Sequence, residues 1–354
     1  MKRRSFLKNT SLLATAGMFY PKNIISFKEK DKSSTCSLWD LFGTDYRQNC
    51  RAWVHHVAEN PVIPANGNGW KKYWTANPDS ITFKGKKLLY YRGNGITQTD
   101  HTRHDRIAVA EIINISEDKF KFKDLNNGKF VLDVGGEGSF DDRNILDPAA
   151  IVSGDKIFLY YSAIGCGPDS IGLAISEDGI NFHKTGKVLT GRSPDVLLKE
   201  DKIYMIYQRD DGEGYQGFYL AYSMDGVAFM NVINDPVFQT ENNSWDTYVT
   251  TARFHIEDNI YYLLYGGSPD MNDQPDYFGL ARSNDLISWE KHPGNPIFGL
   301  ASKGEEDGGA IWFPAIIETP AHYIMLYEGS RGRYSWDCSS QICSSSIKRK
   351  QQQL

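Results

Sequence analysis

The sequence predicts an all-β protein: a five-bladed β-propeller with ring closure by an N-terminal strand. Three observations predict it. One phrase repeats four times, five strand pairs align, and a closing phrase stands one unit too early. The repeated phrase is S-x-D-x-x-x-[FW], at Ser116-Glu117-Asp118…Phe122, Ser176-Glu177-Asp178…Phe182, Ser223-Met224-Asp225…Phe229 and Ser283-Asn284-Asp285…Trp289. Its serines are 60, 47 and 60 residues apart. A recurrence on this scale means that one supersecondary unit is reused.

Each copy follows a short apolar strand: Ile107–Ala110, Ile171–Ala174, Phe218–Ala221 and Phe278–Ala281. Upstream lies a stronger strand: Leu88–Tyr91, Ile157–Tyr161, Ile203–Tyr207 and Ile260–Tyr265. A fifth, Tyr323–Tyr327, has no phrase after it. Aromatic and β-branched runs between Gly, Asn and Asp turns read as antiparallel meanders. Alignment on the last Tyr of each run puts Asn77-Pro78-Asp79, Asp147-Pro148-Ala149, Ser193-Pro194-Asp195, Thr251-Ala252-Arg253 and Phe313-Pro314-Ala315 at one common position. Proline lacks an N–H and is tolerated at the first residue of a strand. The four prolines are therefore expected to mark where the innermost strands begin.

The closing phrase, [ND]-P-[VI]-[IF], occurs at Asn60-Pro61-Val62-Ile63, Asp235-Pro236-Val237-Phe238 and Asn295-Pro296-Ile297-Phe298, with Val188-Leu189 as a degenerate copy. The copy at Asn60 precedes the first unit, and the last unit lacks one. The N-terminal segment is thus expected to supply the outer strand of the final blade, which removes an exposed sheet edge. A β-sandwich or a pair of β domains would require neither the five matched strand starts nor the displaced closing phrase. The propeller spans residues 60–348, preceded by a lead-in at 31–59 in which Leu38, Leu41 and Tyr46 share one side of a short helical stretch.

Residues 1–30 read as a bacterial twin-arginine export signal: Arg3-Arg4-Ser5-Phe6-Leu7-Lys8, then an apolar run to Tyr20 too short to span a membrane. A periplasmic or secreted location follows. Losing that segment removes seven basic residues and one acidic residue, taking the net charge from −5 to −11. An acidic chain argues against nucleic acid or an anionic membrane as partner. The five cysteines show no C-x-x-C spacing, so zinc is unsupported; Cys338 and Cys343 are a candidate pair in an oxidising compartment.

The starts of propeller inner strands converge on one face, so the aligned positions should be neighbours. They bring Asp79, Asp147 and Asp195 together with Arg253. Crowded carboxylates raise one another's pKa and suit acid/base work. Counted from the closing phrase, Asp246 and Glu306 share one offset, held by Lys71 in the first blade, and should form a second ring on the funnel rim. Trp70, Trp74, Trp245 and Trp312 lie beside these sites and offer ring faces to sugars. Arg92 and Arg253 are candidates for binding hydroxyls, sulfate or carboxylate. His255, two residues past Arg253, should point into the channel, where it could hold water or a divalent cation such as calcium or magnesium; no cofactor is required. His101, on the loop after the first blade's second strand, is a further candidate for reaching the ligand.

Asn77-Pro78-Asp79-Ser80-Ile81, Leu88-Leu89-Tyr90-Tyr91-Arg92-Gly93, Asp147-Pro148-Ala149 and Ser176-Glu177-Asp178-Gly179 resemble the five-bladed propeller glycosidases, family 43 and its relatives in families 32, 68, 117 and 130. The family 43 pattern implies Asp79 as base and Asp147 as its pKa modulator, but Gly191-Arg192-Ser193-Pro194 lacks the Glu that the pattern places before the third blade. The family 117 anhydro-galactosidases are similar in their spacing of Asp79, Asp246 and Glu306; Glu305 and Asp307 flank Glu306 where that family has its acidic His. The general acid therefore stays open among Glu306, Glu305 and His101. The resemblance implies a hydrolase acting on oligosaccharide ends with inversion, on a substrate that contains anhydro-galactose if family 117 is the match; Arg92 and Arg253 alone suggest an anionic substrate, the N-terminal segment suggests export, and a homodimer is a further expectation. The alternatives are a non-catalytic sugar-binding propeller and a family 130 type phosphorylase.

Overall fold

A computed structural model describes residues 36–56, 59–100, 102–116, 119–209, 217–240, 243–270, 273–333 and 340–350. The export signal at 1–30, His101 and Cys338 lie outside the described residues. Five antiparallel sheets follow one another along the chain. Blade 1 holds Trp74–Phe83, Lys86–Gly95, His104–Ser116 and Lys119–Asp124. Blade 2 holds Asn144–Ser153, Lys156–Ile164, Ser170–Ser176 and His183–Thr190. Blade 3 holds Arg192–Lys199, Lys202–Gln208 and Gly217–Ser223, and blade 4 holds Tyr248–Glu257, Ile260–Ser268 and Tyr277–Ser283. In both, two short pieces pair with the third strand: Met230–Asn231 and Phe238–Gln239, then Glu290–Lys291 and Phe298–Gly299. Blade 5 is Ala310–Glu318, His322–Ser330 and Ser340–Lys348, with Val54–His55 as its outer strand.

The early closing phrase also reaches this last sheet. Val62 N donates to Ile342 O (2.8 Å), and Ile63 bridges the same residue. The pairing starts upstream of Asn60, however, because Val54 and His55 face Ser346 and Ser345. The lead-in forms a short 3-10 turn, Trp39–Leu41, and a helix, Tyr46–Ala52. Leu38 and Leu41 are buried against blades 4 and 5, whereas Tyr46 faces solvent.

The apolar residues gather between neighbouring sheets. One cluster joins blades 1 and 2 through Leu88, Tyr90, Ile157 and Tyr161; another joins blades 2 and 3 through Tyr160, Leu173, Met205 and Tyr219. Burial of such faces, at about 25 cal/mol per Å² of apolar surface, is the main force holding blades together.

The S-x-D phrase adds a polar lock to that packing. Asp178 Oδ1 accepts from Ile180 N and Asn181 N (both 2.8 Å), and Gly179 N donates to Ser176 Oγ (2.9 Å). The same bonds recur around Asp225 and Asp285. The turn so fixed presents its Gly carbonyl to the preceding blade: Tyr90 donates to Gly179 O (3.0 Å) and Tyr160 to Gly226 O (2.8 Å). Phe182 and Phe229 meet those same tyrosines edge-on. The phrase therefore joins blades as well as shaping hairpins.

The prolines do not begin the inner strands, as the sequence suggests. Each strand starts two to four residues earlier, and the X-Pro dipeptide is a bulge within it, with the register shifting across Ala76/Asp79, Leu146/Ala149, Arg192/Asp195 and Trp312/Ala315. A bulge tolerates Pro because its N–H is not needed in the ladder. The residue before each Pro takes a left-handed backbone: Asn77 (φ 49°), Asp147 (φ 51°), Ser193 (φ 51°) and Phe313 (φ 53°). Blade 4 has Ala252 in place of Pro, and Thr251 is absent from the left-handed set.

The bulge separates residues that alignment puts together. Asp79, Asp195 and Arg253 lie past it, on the axis. Arg253 is 2% exposed and reaches all the other blades. It donates to Pro194 O (3.2 Å), Pro148 O (2.9 Å) and Pro78 O (3.4 Å), pairs with Asp195 (3.1 Å), and stacks 4.6 Å from the Phe313 ring centroid. Asp79 accepts from Ala150 N and Asp195 from Phe254 N, both at 2.6 Å, each bond crossing to the next blade. Burial raises both carboxyls, Asp195 to about 7, against the pull of Arg253. Arg253 is thus an axial plug. Replacing it with Met should cost about 3–5 kcal/mol in chemical denaturation, because buried carboxylates and carbonyls lose their partner. Arg253→Lys should recover only part of that loss, since an ammonium lacks the planar fork.

Candidate functional site

Above the plug lies a cavity of about 250 Å³. Two aligned positions build most of it, the first in all five blades and the second in blades 1, 2 and 5. The bulge residue before each Pro, or its equivalent, contributes Asn77, Asp147, Ser193, Thr251 and Phe313, and the residue after each aligned Tyr contributes Arg92, Ser162 and Glu328. The second strand runs antiparallel to the first, and the residue just before each bulge position pairs with the one after the Tyr: Ala76 opposite Arg92, Leu146 opposite Ser162, Trp312 opposite Glu328. Arg192, Asp169, Asp273 and Trp312 complete the walls.

Arg92 sits between carboxylates. Its Nε lies 3.6 Å from Asp105 and its Nη2 3.6 Å from Glu328. Trp74 stacks near it (5.8 Å) and donates Nε1–H to Asp105 (3.0 Å). Glu328 accepts from Asn77 Nδ2 (2.8 Å). Burial pushes Glu328 up to about 7, with Arg92 opposing and the nearby Asp147 adding to the rise. Asp147 is also raised by burial, opposed by Arg92, by Ser162 and by Arg192. Across the mouth, Arg192 lies 3.6 Å from Asp273, and Trp312 Nε1 donates to Asp273 O (2.8 Å). Asn77 Oδ1 and Arg92 Nε, on two residues that line the cavity, are buried without a hydrogen bond. The arrangement can hold a polar ring, accept one proton and donate another.

Of the residues singled out in the sequence, the structure brings Asp147, Arg92 and Trp312 together here. It separates the others. Asp79, Asp195 and Arg253 belong to the plug, and with His255 line a different depression at the far end of the axis. His255 is 3.5 Å from Glu318, and its pKa is lowered by burial. Among the described residues no group of three or more His, Cys, Asp or Glu side chains could hold a metal ion.

Asp246 is buried in a tether: it accepts from Tyr265 OH (3.0 Å) and pairs with Lys291 (2.8 Å). The tether repeats as Tyr91–Asp124–Lys71, Tyr161–Asp141–Lys184 and Tyr327–Asp307–His55, with Tyr207–Asn231 in blade 3. In blade 5 the tether residue is Asp307, one beyond Glu306. Glu306 instead pairs with Arg331 and accepts from Gln341 Nε2, outside the cavity lining. Trp245 stacks on Tyr265 (5.6 Å, 25°) as packing between strands. Trp70 is buried, donating to Gly128 O.

Sequence reasoning missed Asn77, Glu328, Arg192 and Asp273. Two were within reach: Asn77 shares the aligned position of Asp147, and Glu328 follows its aligned Tyr as Arg92 does. Asp273 sits on a loop that no alignment of strands covers.

No protein-family model matches the chain, and no curated protein matches it. Solved structures do. A glycosyl hydrolase from Bacteroides ovatus has 15% identity and a TM-score of 0.61, with 82% of this chain and 92% of that one covered. The β-1,2-mannobiose phosphorylase from Listeria innocua has 15% identity and a TM-score of 0.66, over 84% and 96%. A third, reported with glycoside hydrolases of family 130 that target β-1,2 mannosidic linkages in Candida mannan, has 16% identity and a TM-score of 0.61, over 82% and 93%. The chain shares their fold. Among the described residues no helix is long and apolar enough to cross a membrane.

The pKa of Glu328 has a consequence for stability. Between its ordinary value of 4.5 and about 7, the folded protein keeps a proton that the unfolded chain has released, so stability falls as pH rises through that window. Glu328→Gln should flatten this part of the thermal-midpoint profile and leave the part due to Asp195.

Proposed function

We propose that the protein is an exported glycoside hydrolase whose centre is the Asp147–Arg92–Glu328 cluster. The observation that carries this reading is a pair of buried carboxyls, Asp147 and Glu328, lining one cavity with the Arg92 guanidinium, with Glu328 raised to about 7. A carboxyl with that pKa is protonated in a useful fraction at neutral pH and can act as a general acid. Glu328 gives its proton to the glycosidic oxygen as the C–O bond breaks. A water attacks the anomeric carbon and loses its proton to Asp147. Arg92, 3.6 Å from Glu328, stabilises the carboxylate that the first transfer leaves. Trp312 offers an aromatic face to the sugar ring. The resemblance to propeller glycosidases implies inversion and action at chain ends, and the Arg3-Arg4 segment supports export.

Phosphorolysis is the second reading, favoured by the likeness to the Listeria innocua phosphorylase and by Arg92 and Arg192 facing one cavity. The local charge weighs against it. Four lining carboxyls, Asp147, Asp169, Asp273 and Glu328, outnumber two guanidinium groups, which disfavours entry of phosphate.

Turnover of neutral oligosaccharides in phosphate-free buffer is the expected result; activity that appears only on adding phosphate overturns hydrolysis in favour of phosphorolysis. Asp147→Asn should lower kcat/KM by about 10²–10⁴-fold with the fold intact by circular dichroism. The pH profile should fall as pH rises past about 7, where Glu328 loses its proton. Proton NMR of the first-formed product anomer checks inversion.

A further inference from the structure

A second concavity flanks the funnel. Asp273 lines the funnel, whereas Asp276 and Tyr277 line a groove of about 530 Å³ formed against the helix Tyr46–Ala52. The wall between them is pinned: Trp312 Nε1 donates to Asp273 O (2.8 Å), Ile311 N to Pro275 O (3.1 Å) and Asp276 N to Gly267 O (3.2 Å). Three residues of chain span at most about 10 Å. A ligand unit in the groove would therefore adjoin one at the funnel mouth.

The two concavities carry opposite charge. The funnel has two more carboxyls than guanidinium groups, while the groove sets Arg47, Arg51 and Arg333 against Asp276 alone. Arg333 is engaged by Asp276 and by Gly309 O. Arg47 and Arg51 stand one helical turn apart on one face, both exposed; Arg47 Nε donates to Tyr46 OH (3.1 Å), and among the described residues neither is ion-paired. In a chain of net charge −5, this cationic pair lies in a concave site beside the ring faces of Tyr46 and Tyr277.

We infer that the groove binds a carboxylate or sulfate on the sugar unit next to the one in the funnel. The preferred ligand is then an oligosaccharide with a neutral terminal unit and an acidic neighbour. This rests on the proposed function for what enters the funnel. Guanidinium groups match the paired oxygens of carboxylate and sulfate alike.

The test compares three trisaccharides of one linkage: neutral, with a uronic acid at the second unit, and with a sulfated second unit. Calorimetry on the full-length protein and its Arg47→Ala/Arg51→Ala variant reads affinity, and kcat/KM is read where turnover occurs. The expected result is that one acidic trisaccharide binds about tenfold more tightly than the neutral one at low salt, and that the double substitution removes this ratio. The preferred trisaccharide identifies the anion. Equal affinity for all three, or a preference that survives the double substitution, overturns the inference. Absence of turnover on every trisaccharide, with the acidic preference present and lost in the variant, overturns the hydrolase reading and leaves the groove standing.

Discussion

One guanidinium holds the axis of this ring. A propeller brings five inner strands to a common line, and the bulges of the first three blades there turn a proline carbonyl inward. Arg253 takes three of those carbonyls, pairs with Asp195 and covers Phe313, so blades 1, 2, 3 and 5 all close on a residue from blade 4. A buried charge would be costly alone, but here the two terminal nitrogens of the planar fork meet carbonyls and a carboxylate from different directions. The bulges, the plug and the cavity above form one construction: the backbone turn that offers a carbonyl to Arg253 also aims the preceding side chain at the funnel.

The scaffold around this axis repeats its solutions with different residues. The tyrosine–carboxylate–cation tether uses Lys in three blades and His55 in the fifth, and blade 3 substitutes a neutral asparagine. The S-x-D turn recurs with Gly179, Gly226 and then Leu286, the last in a left-handed conformation at φ 71°. Such variation at constant geometry explains why the strand period is clear in the chain while the partners of individual charged residues are not.

That contrast sets what could be read beforehand. Blade number and strand order follow from periodicity, because each is a local pattern repeated, whereas the outer strand of blade 5 is Val54–His55, upstream of the early closing phrase. The roles of the charged residues depend on a bulge of two residues, which no composition signal marks beyond the proline itself. Asp79 and Asp147 are both beside a Pro, yet one follows it and the other precedes it, and the bulge sends them to opposite sides of the plug. Asp246 and Glu306 share an offset, but the loop before blade 5 is one residue longer, so Asp307 takes the tether. Glu328 was visible as the residue after an aligned tyrosine. Asp273 was not, because its position comes from a loop pinned by Trp312 rather than from any repeat.

The plug also governs traffic. With Arg253 across the axis, the cavity above and the depression below are lined by entirely different residues. A ligand in the funnel is thus separated from the lower depression by the buried Arg253 side chain. The cavity is small, about 250 Å³, so a molecule released slowly from it excludes its successor by bulk alone.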